Sequence, residues 1–257
     1  MDLRDQLLAL LADGPGTVQM RALLELGETQ LFGTVEGAAF AHAEAGLGVL
    51  VGKPSEKTLR ELTLCGLPPE LIAREPVEVA GYAWEAVALS TDGARTVHPE
   101  RSRGMDFRSI GARPSTPLGL NGGSLPVPAN ALGLNGPARR LSPAQWPRVP
   151  PELSESLAVA MERRAVFFEA VGDQPVAFAF APLKSERWFD LHVETMPAFR
   201  RRGLARSVVR AVIAHERSEG RSPVWAAAAS NAAAVGLGRA LGFVDCGQML
   251  WRATKRV

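Results

Sequence analysis

Val193 to Ala205, read V-E-T-M-P-A-F-R-R-R-G-L-A, is the stretch that decides the fold. Leu191, Val193 and Thr195 alternate with Asp190, His192 and Glu194, the period-two pattern of a strand. Pro197 ends that strand because it has no N–H to give to a ladder. Beyond Arg200-Arg201-Arg202-Gly203, residues Leu204, Val208, Val209, Val212 and Ile213 recur at helical spacing. A strand thus runs through a glycine-containing turn into a helix. Such a turn gathers backbone N–H groups at the positive end of the helix dipole and makes a seat for a phosphate. The P-loop string G-x-x-x-x-G-K-[ST] and the dinucleotide string G-x-G-x-x-G are both absent.

A second stretch lies downstream. Pro223 to Ala229 reads as a short strand whose small side chains permit close backbone approach. Ser230 or Asn231 can cap the helix that follows, Gly242 suits its end, and Phe243 begins a closing strand. Two segments together, Arg200-x-x-Gly203-x-Ala205 after Thr195-x-Pro197 and the run from Asn231 through Ala234, Leu237 and Leu241-Gly242-Phe243, resemble those of the GNAT superfamily of N-acetyltransferases.

The resemblance implies an α/β (α+β) fold, a mixed and mostly antiparallel sheet flanked by helices, within residues 137–257. It also implies acetyl-coenzyme A as cosubstrate. The backbone of Val193 to Thr195 would pair with the pantetheine arm. Arg200, Arg201, Arg202, Gly203, Leu204 and Ala205 would wrap the pyrophosphate, mainly through N–H groups. Asn231 would touch the pantetheine or adenine side of the cofactor, and its residue type suits a plain helix cap equally well. One position departs from the family: a tyrosine that protonates the leaving thiolate is often found where this chain has Gly238, and the only tyrosine here is Tyr82. Water, Ser230 or Cys246 could supply the proton, the thiolate could leave unassisted, or the chain could lack catalysis altogether.

Composition sets bounds. At 257 residues the chain can bury a substantial core as one large domain or two small ones. A formal charge of +2 argues against a nucleic-acid coat or a membrane-surface patch. Only four of the 29 basic residues are lysine, so the Arg200–Arg202 triplet partly reflects composition. No run approaches the roughly 18 apolar residues of a membrane span, and the start M-D-L-R-D-Q does not read as a secretion signal. Cys65 and Cys246 have no C-x-x-C partner and are expected as free thiols in a cytoplasmic protein. Four scattered histidines give no metal-ligand spacing, so no metal is expected.

Along the chain the organisation reads as bipartite, with a small α/β domain over residues 1–101, a linker or lid over 102–136, and the acetyltransferase domain over 137–257. In the first part, Leu3 to Ala12, Val18 to Leu26 and Glu56 to Leu64 read as helices, the last capped by Ser55. Phe32 to His42, Gly48 to Gly52 and Val77 to Leu89 read as strands, and Pro68-Pro69 as the opening of a short helix through Ala73. This part could be a degenerate copy of the acetyltransferase fold. The segment 102–136 is rich in Gly, Pro, Ser and Asn, with L-G-L-N-G at Leu118 and again at Leu132. It reads as a turn-rich linker or as a lid whose leucines pack on the body. In the last part, Ala138 onward reads as an opening strand, Pro150-Pro151 as the start of a helix to about Arg163, and Ala165 to Ala181 as a hairpin around Gly172-Asp173-Gln174-Pro175.

An alkyl amine needs a base, or a proton-carrying water, before it can attack a thioester at neutral pH. Glu194 is the first candidate and His192 the second, in a row with Asp190, while Glu169 on the neighbouring hairpin is a further candidate. Polar side chains on a central strand are unusual, and backbone partners or simple exposure would also account for them. Cys246 reads as a small hydrophobe rather than a nucleophile. The resemblance favours an N-acetyltransferase that transfers an acetyl group to a primary amine, small molecule or peptide, in a ternary complex, as a monomer or homodimer. The alternative is a non-catalytic acyl-coenzyme A binding or regulatory protein, which Gly238 brings into view.

Overall fold

A computed structural model describes residues 1–43, 45–66, 68–92 and 138–255. The proposed linker and its two L-G-L-N-G runs therefore lie outside the described residues. Two helices, α1 (Leu3–Leu10) and α2 (Val18–Glu25), open the chain. Strands β1 (Gln30–Thr34), β2 (Gly37–His42) and β3 (Leu47–Gly52) follow, then α3 (Glu56–Leu64), β4 (Glu70–Ala73) and β5 (Tyr82–Thr91). The second half comprises β6 (Arg139–Arg140), α4 (Pro151–Arg163), β7 (Phe167–Val171), β8 (Gln174–Phe180), β9 (Trp188–Asp190) and β10 (His192–Thr195). It closes with α5 (Leu204–Ser218), β11 (Ser222–Ala228), α6 (Ala232–Leu241) and β12 (Val244–Lys255).

The strands form two sheets. One has the order β1-β2-β3-β4-β12-β5-β11-β9, the other β10-β8-β7-β6. β5, from the first half of the chain, lies between β11 and β12 of the second and is antiparallel to both. The large sheet packs α1 and α2 on one face through Leu7, Met20 and Leu23 against Phe40, Ile72, Leu89 and Leu250. α3 covers part of the other face through Leu62. In the small sheet, α5 covers one face with Leu204, Val208 and Val212, and α4 covers the opposite face with Leu157 and Ala160.

Four expected elements differ. Phe32 to His42 is a hairpin, β1 to β2, turning at Val35-Glu36; Gly37 lies so close to the Lys53 carbonyl that a Cβ would stand 2.3 Å from it. The segment after Pro68-Pro69 is the strand β4 rather than a helix, because Leu71, Ile72 and Ala73 are buried between β3 and β12 and only an extended chain reaches both. The strand expected from Val77 begins at Tyr82, and the preceding segment is tied down by Trp84 Nε1 donating to Val77 O at 2.7 Å. Asp190 to Thr195 is not one strand. Leu191 gives its N–H to Asp190 Oδ1 at 3.0 Å instead of to a ladder, and the chain leaves one sheet for the other at that point.

Candidate functional site

The break at Leu191 opens the site. β9 runs parallel to β11 through Asp190↔Val224, whereas β10 departs to pair with β8. The C-terminal part of β11 and the whole of β10 therefore diverge, and the edge of β10 that does not face β8 has no strand partner among the described residues. Register places Val193 opposite Ala179 and Thr195 opposite Ala177 on the α5 face. His192 and Glu194 stand opposite Phe180 and Phe178, on the α4 face. The four residues of β10 thus present their side chains alternately to the α5 face and the α4 face.

Below this edge the turn has the conformation expected of an anion seat. Arg201 and Gly203 both have positive φ, 58° and 83°. Gly203 caps α5 without a side-chain bond to the first helical N–H groups, which have no carbonyl partner inside the helix. A Cβ on Gly203 would find nothing within 4 Å, so the space above it is open. The Arg200 side chain is drawn back to Thr195 O at 3.0 Å and that of Arg202 to Ala198 O at 3.2 Å, leaving backbone groups as the lining of the turn. Thr195 Oγ1 is buried with no hydrogen-bond partner among the described residues. A strand edge without a partner, an uncapped helix start and an orphaned hydroxyl suit the amides and phosphates of a coenzyme A.

Asn231 is the helix cap expected of it, its Oδ1 accepting from Ala234 N at 3.0 Å, and it also lines the cleft. Gly242 ends α6 with φ 89°. Gly238 has a local reason to be glycine. A Cβ there would lie 2.8 Å from Trp225 Nε1 and 2.9 Å from Cδ1, and the indole in turn donates to Ala234 O at 3.2 Å. Trp225 thus fills the space beside the helix where the resemblance leads one to expect a tyrosine. The two side chains named as stand-in proton donors are engaged elsewhere, Ser230 with Glu85 Oε2 at 3.3 Å and Cys246 with Leu89 O at 3.2 Å.

The candidate bases occupy different surroundings. His192 lines the cleft and packs on Phe180, with ring centroids 4.9 Å apart. Glu194 sits behind it, Oε2 3.8 Å from His192 Nε2, and the imidazole beside it holds the Glu194 carboxyl below its ordinary range. Asp190 is only 7% exposed, at the apex of the splay. Burial pushes its carboxyl up, against the bond from Gln19 Nε2 at 2.5 Å. Glu169 is buried under α5, where Ser207 Oγ donates to it, and burial raises its carboxyl as well. It does not line the cleft.

The cleft has a volume of about 640 Å³ and lies between the halves of the chain. Gln19, His42 and Glu70 from the first half and Arg252 from β12 line it together with His192 and Trp225. None of Gln19, His42, Glu70 and Arg252 was legible as functional. His42 is a lone imidazole ending the apolar run G-A-A-F-A-H, and Gln19 is one amide on a short helix; neither carries a motif. Among the described residues no group of three His, Cys, Asp or Glu could hold a metal ion, and no helix is long and apolar enough to cross a membrane. Cys65 and Cys246 are free thiols.

Comparison with known proteins agrees with this geometry. Residues 167–248, which include the diverging strands, the turn and α6, match the family model described as GNAT acetyltransferase. No curated protein matches the chain in sequence. Among solved structures, a GCN5-related N-acetyltransferase-like protein from Streptococcus suis has a TM-score of 0.66 at 13% identity, over 99% of this chain and 100% of that one. A GNAT-family protein from Novosphingobium aromaticivorans has a TM-score of 0.59 at 17% identity, over 95% and 100%. A GCN5-related N-acetyltransferase from Kribbella flavida has 0.55 at 12% identity, over 93% of each chain. At these identities the likeness to the solved structures is one of fold, and it spans both halves. The chain therefore has the fold of these GNAT structures, and its residues 167–248 match the GNAT acetyltransferase family model.

Proposed function

We propose that the protein is an acetyl-coenzyme A dependent N-acetyltransferase acting on an amine bound in the cleft between its halves. The observation that carries this reading is the divergence of β10 from β11 directly above an uncapped helix start with open space at Gly203. Bound acetyl-coenzyme A would supply an acyl thioester, from which the amine takes the acyl group while the thiol departs. The chain's own residues have three tasks. The backbone of Val193 to Thr195 orients the cofactor arm by pairing along the free edge of β10. The N–H groups of Arg201 to Ala205 hold the pyrophosphate at the positive end of α5.

The third task is to take a proton from the amine. His192 faces the cleft, and Glu194 stands behind it with a lowered pKa, so that carboxylate stays ionised 3.8 Å from the imidazole. His192 receives the proton from the amine. With Gly238 in the tyrosine position, the departing thiolate is protonated by water or leaves as the anion, a tolerable route for a good leaving group.

Calorimetry of acetyl-coenzyme A binding to wild type and Gly203→Trp tests the reading, with circular dichroism to verify the fold of both. The space above Gly203 accepts the indole, which then fills the phosphate seat. Micromolar binding by wild type, lost in the variant, is the expected result. A folded wild type that does not bind would remove the acetyltransferase reading and leave only the fold.

A further inference from the structure

The cleft is lined by groups of both charges. Asp190, in that lining, is buried, and its carboxylate is met by neutral donors, the Gln19 amide at 2.5 Å and the Leu191 N–H at 3.0 Å. Among the described residues no cationic side chain forms an ion pair with it; burial raises its pKa, and Arg252 and His192 act against that through space. A buried carboxylate of this kind gains a direct partner when a cation enters the cleft. Arg164, also in the lining, turns its Nε toward the Pro182 carbonyl.

Two other lining residues offer donors. His42 is 3% exposed, and its Nδ1 accepts the Ala45 N–H at 3.2 Å. A neutral ring bonded in that way carries its proton on Nε2, which makes the other nitrogen a donor. Arg252, on β12, also lines the cleft, and its Nε is buried without a hydrogen bond among the described residues. Glu70 Oε2, 3.9 Å away, steers the guanidinium without meeting it at bonding distance. The formal charges of Asp190, Glu70, Arg164 and Arg252 cancel, so the lining is dipolar rather than acidic or basic.

An alkyl amine would answer only the Asp190 carboxylate. A molecule with an ammonium and a carboxylate answers Asp190 and the donors alike, and a cleft of about 640 Å³ that must also take the end of a pantetheine arm leaves room for a small one. We propose that the acceptor is a free α-amino acid, its amino group at Asp190 and its carboxylate at His42 and Arg252. This inference rests on the acetyltransferase reading above. It makes selection of the acceptor a joint task of the two halves, with His42 from the first and Asp190 and Arg252 from the second.

The test uses the full chain, acetyl-coenzyme A and thiol release, with each common α-amino acid set against the amine that lacks its carboxylate. At least one amino acid should be acetylated with kcat/KM about tenfold or more above its decarboxylated partner, the size of one lost charge-assisted contact. Arg252→Gln should abolish that preference through KM, and Arg252→Lys should recover part of it. Independently of turnover, the preferred amino acid should raise the Tm of the coenzyme A-loaded wild type more than that of Arg252→Gln. Equal or better use of the decarboxylated amines, or a preference that Arg252→Gln leaves intact, overturns the proposal. So does a protein that binds coenzyme A and acetylates no amino acid, an outcome that leaves the acetyltransferase reading standing. Failure to bind coenzyme A overturns that reading, and the amino-acid proposal falls with it.

Discussion

Two glycines on α6, two residues apart and so on different sides of the helix, should respond to the same substitution with opposite signs. Gly236 has nothing within 4 Å of a Cβ, so Gly236→Ala only removes backbone freedom from the unfolded chain and should stabilise by about 0.5–1 kcal/mol. Gly238→Ala gains the same increment and then meets Trp225. Contacts of 2.8 and 2.9 Å to Nε1 and Cδ1 fall short of the usual ~3.5–4.0 Å, so the buried indole must retreat. Overpacking of this kind costs about 1–3 kcal/mol. Weakening the bond from Trp225 to the Ala234 carbonyl adds about 0.5–1.5 kcal/mol. The net expectation is a loss of about 0.5–4 kcal/mol, read from urea denaturation followed by far-ultraviolet circular dichroism. Trp225→Leu should remove most of the penalty of a subsequent Gly238→Ala, so the pair should be strongly non-additive. If Gly238→Ala is as stabilising as Gly236→Ala, the indole is not where it has been placed, and the account of the missing tyrosine fails with it.

Asp13 joins the halves: its carboxylate accepts from Ser185 Oγ at 2.6 Å and from Arg187 N at 2.9 Å, and its carbonyl from Arg187 Nη2 at 2.9 Å. Asp13→Ala leaves the buried Ser185 hydroxyl without that acceptor and should cost about 2–4 kcal/mol in urea denaturation, with Asp13→Asn losing less; a loss under about 0.5 kcal/mol would contradict the contact. Glu216 is buried between Lys184 and Arg221, and although burial pushes its carboxyl up, the two cations more than offset that and hold it below 4.5. Between its native value and 4.5 the unfolded chain binds a proton that the native chain does not, so stability rises with pH through that window. The stability advantage of wild type over Glu216→Gln should therefore be full at neutral pH and shrink as the pH falls below 4.5, and an advantage unchanged by acid would refute the assignment.

What could be read in the sequence was whatever local rules determine. Ser55 and Asn231 cap helices as expected, and Gly203 and Gly242 hold the left-handed positions that terminate or begin them. The hairpin around Gly172 and the helix from Leu204 follow from turn chemistry and apolar spacing. The errors fall where tertiary pairing decides. Glu70 to Ala73 is too short for either period to speak, and burial between two strands made it extended. Asp190 looked like one tooth of a polar row, yet its side chain took the next N–H and sent the strand into another sheet. His42, Gln19 and Arg252 meet His192 only through the fold, across separations that no motif spans.

The position of β5 between β11 and β12 has a consequence for how the protein is made. Thr91 pairs with Val224 and Tyr82 with Lys255, so the strand leaves the ribosome long before either neighbour. At ~5–20 residues per second, synthesis of the intervening chain takes on the order of ten seconds, during which both edges of β5 lack their partners. The nascent N-terminal half therefore carries a bare strand bearing Val87 and Leu89 that invites pairing with another chain. The C-terminal half made alone would show the complementary fault, a gap in the middle of its sheet. Gene fragments cut between the halves should yield aggregates when expressed singly, and soluble protein when both are produced together.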